Sequence, residues 1–347
     1  MRTSQKIAVI GAGAWGTALA IHTARQGFSV RLWARRPELA ETLNLERENE
    51  SFLPGLTLPP SIVATCDHEE AVKEARLVIW VVPSHVLRSV VRGFRPYLTS
   101  KTILVSAAKG IEDDSFATMT EILTEETLGL TMPVGALSGP SFAREVAEGL
   151  PTAVTVAFED LQVAAQVQTW LSAPVFRIYT SGDVKGVELG GAMKNVYAIA
   201  AGICDGLCLG LNARAAFLTR ALAEMTRLAV SVGANPLTIS GLSGLGDLLL
   251  TATGDLSRNR RVGLRLGSGE NLTDILAGQR EVAEGVKNTK SLWGLVQANG
   301  LNLPTIREIY RVLYEGKAPR QGLVDLLTRR LKPELAPDLK PPEFSEG

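Results

Sequence analysis

Four segments of the 347-residue chain set an ionisable or hydroxyl side chain beside glycine, a pattern that suits close approach of backbone to a small ligand. Ala107-Ala108-Lys109-Gly110 follows an apolar run, so Lys109 can polarise a carbonyl or hold a phosphate; a solvated loop lysine is the competing reading. Ser138-Gly139-Pro140-Ser141 follows another such run. Gly139 can turn backbone N–H groups toward a ligand, while Ser141 can offer its hydroxyl or cap the next helix. In Glu188-Leu189-Gly190-Gly191-Ala192-Met193-Lys194-Asn195, a helical register puts Lys194 one turn beyond the glycines on the same face. Each glycine costs a helix about 1 kcal/mol relative to alanine, which implies a close approach there. A lysine buried at such a place can fall from ~10.4 to roughly 7–8, the useful range for moving a proton; snorkelling to water is the alternative. Gly241-Leu242-Ser243-Gly244-Leu245-Gly246-Asp247 ends in a carboxylate that can hydrogen-bond a substrate hydroxyl or orient Lys194. Ser257-Arg258-Asn259 is a compact donor set for a phosphate monoester, or else a helix cap beside a solvated arginine.

The N-terminal end carries a different chemistry. Gly11-x-Gly13-x-x-Gly16 follows the strand-like run Ile7-Ala8-Val9-Ile10 and opens a helical stretch from about Thr17 to Gln26. That context turns a common glycine pattern into a dinucleotide-binding loop. Gly11 permits the tight turn, Gly13 lets the backbone approach a pyrophosphate, and Gly16 lets helix pack on strand. The helix N-terminus adds free N–H groups and partial positive charge. The second strand, Phe28 to Trp33, runs into Arg35 and Arg36 where an acidic residue would hold a ribose hydroxyl. Two guanidinium groups there favour a 2′-phosphate, so NADP(H) should be accepted well; a solvated charged turn is the alternative. On this reading Gly190 and Gly191 bring their helix to the nicotinamide side of a cleft.

The elements needed to position these groups are legible. Leu77 to Val82, Thr102 to Ser106 and Pro133 to Leu137 are near-continuous apolar runs, as in strands buried on both faces. Their alternation with helical patterns as far as about Val184 predicts a doubly wound parallel Rossmann sheet over residues 1–186. Beyond Lys185 strand-like runs cease, and windows such as Ala213 to Ser231 show helical spacing, so residues 187–331 are expected to form an all-helical substrate and catalytic domain. Residues 332–347, rich in Pro and Glu, read as a loosely held tail. Apolar residues are 46% and charged residues 21%, ordinary for a globular chain, and 36 basic against 36 acidic residues argue against a general nucleic-acid or anionic-membrane surface. Lys6 to Ile10 is too short for a signal-peptide core, and no apolar run approaches the roughly 20 residues of a membrane span. Cys66, Cys204 and Cys208 form no CxxC pair and read as reduced thiols, with no metal site expected.

Taken together, these segments resemble the bacterial-type NAD(P)-dependent glycerol-3-phosphate dehydrogenases from Ile7 to about Leu331. The resemblance rests on Gly11-Ala12-Gly13-Ala14-Trp15-Gly16, Ala108-Lys109-Gly110, Ser138-Gly139-Pro140-Ser141-Phe142-Ala143, Lys194-Asn195, Gly244-Leu245-Gly246-Asp247-Leu248 and Ser257-Arg258-Asn259. It implies reversible reduction of dihydroxyacetone phosphate to sn-glycerol 3-phosphate, the glycerophospholipid backbone, by a cytoplasmic homodimer. It implies Lys194 as general acid/base and Lys109, Gly139, Ser141, Asp247, Ser257, Arg258 and Asn259 as further substrate contacts. Ala14, Trp15, Arg35, Arg36, Ala143, Val282 and Glu284 would line the coenzyme site, with Lys109 and Arg258 touching both. Family members often carry Ser where Ala14 stands, a change that leaves backbone contacts intact. Two other readings share the architecture: a related hydroxyacid dehydrogenase, and a non-enzymatic NADP(H)-sensing module.

Overall fold

The computed structural model describes residues 5–277, 283–331, 333 and 334. Ten strands are present among them: β1 (Lys6–Ile10), β2 (Ser29–Trp33), β3 (Glu48–Asn49), β4 (Leu53–Thr57), β5 (Ile62–Thr65), β6 (Ala75–Trp80), β7 (Ile103–Ser106), β8 (Val134–Ser138), β9 (Thr152–Phe158) and β10 (Phe176–Ser181). β3 and β4 form a small antiparallel pair; the other eight form one sheet ordered β10-β9-β8-β7-β6-β1-β2-β5. The pleat sends Ile7, Val9, Leu32 and Ile79 into one core and Ala8, Ile10, Val78 and Trp80 into the core on the opposite face. This explains the uninterrupted apolar runs.

The sheet corrects the sequence expectation at one place. β8 and β9 pair antiparallel, so the sheet is parallel-dominated rather than wholly parallel. The expected helix at Thr17 to Gln26 begins earlier, spanning Ala14–Arg25, and Gly27 leaves it with φ of 88°.

The register lines up the chemistry. Ile10 pairs with Trp80, Trp80 with Ser106, and Ser106 with Ala136. The segments that follow these strands, beginning at Gly11, Val81, Ala107 and Gly139, therefore emerge along one carboxyl edge. Chain order reverses between β1 and β6, the place where ligands enter doubly wound sheets.

After β10 the described chain is helical. The helix Val184–Gly206 is capped by Asp183, whose carboxylate accepts from Gly186 N–H at 2.9 Å. It is buried nearly all round, as a central helix must be. The helix Arg258–Gly267 lies close against it: a Cβ at Gly202 would stand 2.0 Å from Arg260 O, and one at Gly263 would stand 1.8 Å from Ile199 O. Only glycine at both crossings lets the two backbones approach enough to bring Asn259 to Asn195. Among the described residues no helix is long and apolar enough to cross a membrane.

Candidate active site

Lys194 is almost fully enclosed, 8% exposed, on the central helix. Its Nζ donates to Asp247 Oδ1 at 2.7 Å and to Thr251 Oγ1 at 2.8 Å, so it does not snorkel to water. Lys109, three residues past β7, donates to the other carboxylate oxygen, Asp247 Oδ2, at 2.5 Å and to Gly139 O at 3.1 Å. One fully buried carboxylate thus holds two ammonium groups from different halves of the chain. Asp247 begins the helix Asp247–Thr253 directly after a π-turn over Leu242–Gly246, closed by Gly246 N–H to Gly241 O at 3.0 Å. Such turns re-aim the residues that follow them. Gly244 is required within it, since a Cβ there would meet Ile239 O at 2.0 Å.

Gly190 and Gly191 are indeed at close approaches to other parts of the fold. A Cβ at Gly190 would stand 2.5 Å from Ser243 O, and one at Gly191 would stand 2.6 Å from Ser138 Oγ and 3.4 Å from Lys109 Cγ. The glycines admit the π-turn and the Lys109 stem. Close packing there is what lets Lys109 and Lys194 share Asp247.

The charges respond to this arrangement. Burial lowers Lys194 to about 8; attraction to Asp247 opposes the shift and repulsion from Lys109 adds to it. Burial works against the charge on Asp247, but Lys109 and Lys194 outweigh it and hold the carboxyl below its ordinary value. Glu284, the first residue of the helix Glu284–Ala298, is pushed upward by burial against the pull of Arg258, Lys194 and Lys109. These five groups therefore sit in one electrostatic neighbourhood.

The donor set is partly engaged within the fold. Ser257 caps its helix, accepting from Arg260 N–H at 3.2 Å, which leaves its own O–H to donate. Asn259 donates to Asn195 Oδ1 and accepts from Gly285 N–H, both at 2.9 Å, with one amide hydrogen remaining. Arg258 is exposed at the first helical position. Ser141 does not cap the following helix Ala143–Glu148, whose N-cap is Phe142; its hydroxyl donates to Gly139 O at 2.9 Å. Gly139 has φ of 142°, and a Cβ there would stand 2.9 Å from Val154 Cα, so only glycine fits.

The coenzyme loop matches the roles assigned to its glycines. Gly11 has φ of 122° with Val81 backbone 3.0 Å from its Cβ position, and a Cβ at Gly16 would stand 1.8 Å from Gly11 O. A Cβ at Gly13 would meet nothing within 4 Å, which leaves an open approach at the N-terminus of its helix. Trp15 Nε1 is buried without a partner among the described residues. Arg35 and Arg36 are exposed, and among the described residues no ion pair or hydrogen bond competes for their guanidinium groups. An open cradle, an orphaned donor and two available cations fit a phosphorylated dinucleotide. Ala14 opens the helix beside Trp15, and Ala143 opens the helix Ala143–Glu148; both pack against the same core. Val282 lies outside the described residues.

Comparison with known proteins gives this arrangement its family. Residues 6–164 match the model for the NAD-dependent glycerol-3-phosphate dehydrogenase N-terminus, and residues 183–324 match that for its C-terminus. The chain belongs to the NAD-dependent glycerol-3-phosphate dehydrogenase family. It is 52% identical over 336 residues to the glycerol-3-phosphate dehydrogenase [NAD(P)+] of Syntrophobacter fumaroxidans, covering 96% of this chain and 99% of that one. It is 51% identical to the enzyme of the same description from Nitratidesulfovibrio vulgaris strain DP4, covering 95% and 100%. Its fold is similar to the crystal structure of glycerol-3-phosphate dehydrogenase from Coxiella burnetii, with a TM-score of 0.90, 39% identity and coverage of 94% and 99%.

Thr251 is the site residue that sequence reading passed over. It lies one helical turn after Asp247, accepts from Lys194 and donates to Asp247 Oδ1 at 3.3 Å. The i, i+4 spacing from a candidate carboxylate was the available signal. Thr251→Val keeps the volume but removes one acceptor from a buried ammonium, and kcat is expected to fall about tenfold, as one lost charged hydrogen bond would give. Steady-state kinetics beside a urea unfolding curve separates this from lost stability.

Proposed function

We propose that Lys194 exchanges the proton in the family's reaction, the reversible NAD(P)H-dependent reduction of dihydroxyacetone phosphate to sn-glycerol 3-phosphate. The observation that carries the assignment is the buried Lys109–Asp247–Lys194 cluster, with Lys194 poised near 8. Bound NAD(P)H supplies the hydride that reduces the C2 carbonyl. Lys194 Nζ gives a proton to the developing alkoxide oxygen, and in the reverse direction the neutral amine takes it back. Lys109 places a second positive charge where that oxygen becomes negative, the arrangement with most catalytic effect. Asp247 keeps both lysines in place and lets two cations share a water-poor site. Arg258, with the remaining donors of Ser257 and Asn259, would hold the substrate phosphate, while Gly139 and Ser141 flank the substrate beside Lys109. Phosphate binding away from C2 supplies orientation at the reacting carbon.

Gly11, Gly13 and Gly16, together with Ala14, Trp15, Ala143 and Glu284, would hold the coenzyme, and Lys109 and Arg258 lie where substrate and coenzyme meet. Arg35 and Arg36 would meet a 2′-phosphate. The double change Arg35→Ala, Arg36→Ala is expected to raise KM for NADPH by about 10–100-fold, the effect of losing charged phosphate contacts, with KM for NADH unchanged. Initial rates with each coenzyme check this.

The substrate assignment is tested by following NADPH and NADH oxidation with dihydroxyacetone phosphate and with dihydroxyacetone. A phosphate grip makes kcat/KM for the unphosphorylated ketone lower by about 10⁴-fold. Equal use of the two ketones would favour an unphosphorylated substrate, and no oxidation with either would favour a sensing module. A cytoplasmic homodimer is the proposed setting, supported by three cysteines outside any disulfide and by the prevalence of two-fold oligomers.

A further inference from the structure

The β3–β4 hairpin lies outside the eight-stranded sheet, yet it reaches the coenzyme loop. Asn49, on β3, is 1% exposed. Its Nδ2 donates to Ala12 O at 3.0 Å and to Thr17 Oγ1 at 2.7 Å, so one amide ties the hairpin to the glycine loop and to the helix Ala14–Arg25. The hairpin is itself held in place. Leu53, which pairs with Asn49, is buried in the same core as that helix, and Phe52 N–H donates to Asn49 O at 3.2 Å. Arg144, beside Ala143, donates to Pro54 O at 2.8 Å.

The peptide geometry gives this contact a consequence. The Ala12 carbonyl and the Gly13 N–H belong to one planar trans peptide, so they point in opposite directions. An amide that holds Ala12 O therefore aims the Gly13 N–H away from the hairpin, at the loop residue whose Cβ position is open. Glycine also makes the opposite orientation accessible. Gly13 has φ of −77°, but without a Cβ it tolerates positive φ, so the unheld peptide can turn over and offer a phosphate its oxygen. A second observation points the same way. Asn49 Oδ1 is enclosed and accepts no hydrogen bond among the described residues. Such an acceptor costs stability, so the fold keeps this amide for what its two hydrogens hold.

We propose that Asn49 is a positioning residue for coenzyme binding, holding the Ala12–Gly13 peptide in the one orientation that offers its N–H to the pyrophosphate. The inference rests on the glycine loop being the coenzyme site. It concerns the part that NADH and NADPH share, whereas Arg35 and Arg36 concern the 2′-phosphate alone.

The test is fluorescence titration with each coenzyme, beside steady-state kinetics and urea unfolding. Asn49→Ala should raise Kd for NADH and NADPH by the same factor, about 10-fold, as a lost buried hydrogen bond would, with kcat at saturating coenzyme unchanged. Asn49→Asp sets a carboxylate with no hydrogen to give against the Ala12 carbonyl. Its affinity for both coenzymes should fall further at neutral pH and recover, relative to the unaltered protein, as the pH is lowered and the carboxyl regains a proton to donate. A merely structural tie would lower the urea midpoint and leave both Kd values and their pH dependence alone, and that result would overturn the proposal. So would a change confined to NADPH, or a fall in kcat at saturating coenzyme with Kd unchanged. Gly13→Val separates the proposal from the reading beneath it. If that variant binds both coenzymes like the unaltered protein, the glycine loop is not their site and the proposal falls with it. If it loses them while both Asn49 variants keep them, only the role of Asn49 falls.

Discussion

Replacing Lys194 by alanine is expected to lower kcat for dihydroxyacetone phosphate reduction by about 10²–10⁴-fold, the contribution of a positioned general acid. Coenzyme binding should be unchanged, because the glycine loop and Arg35–Arg36 lie on other elements. The fold should survive as well, since Asp247 keeps its ion pair to Lys109 at 2.5 Å. The informative readout is therefore a fall in turnover with intact NADPH titration by fluorescence. Near-normal turnover would remove Lys194 from the proton-transfer role.

Asp247→Asn should act on both stability and catalysis. Asp247 is completely buried between two ammonium groups, so the neutral amide leaves both cations enclosed without a counter-charge. Breaking a buried pair by removing one partner costs about 3–5 kcal/mol, far more than an exposed pair would. The sign of the catalytic effect follows from the same charges. Attraction to Asp247 opposes the burial that lowers Lys194, so its loss drives Lys194 below 8 and empties it of its proton at neutral pH. Reduction of the ketone should then slow at pH 7 and recover in part as the pH is lowered. Urea unfolding together with kcat at several pH values reads both effects.

Much of the N-terminal half was legible because each local signal agreed with the next. The Gly11-Gly13-Gly16 spacing, the apolar run before it and the helix after it admit one geometry, which the structure adopts. The direction of β9 was not legible, because a strand buried in a sheet has the same apolar pattern whether its neighbour runs parallel or antiparallel. In the site, residue types were readable, and Asp247 beside Lys194 was one of the two roles read for that carboxylate, while its second partner, Lys109, was not readable. Asp247 lies 138 residues from Lys109 and 53 from Lys194, and nothing local announces that one carboxylate would bind both. Of the two roles read for Ser141, capping is not adopted: Gly139, at φ of 142°, carries the chain into a turn that presents its carbonyl to the hydroxyl. The glycines at 190 and 191 were readable as a close approach, but a missing Cβ does not say which surface fills its place.

The pH dependence of kcat in the two directions tests the proton-transfer assignment most directly. Reduction needs the protonated Lys194 and oxidation the neutral amine, so the two profiles should be mirror images crossing near pH 8. Reduction should fall, and oxidation rise, as pH increases through that value. Profiles that are flat in this region, or that bend the same way in both directions, would contradict the assignment of that proton to Lys194.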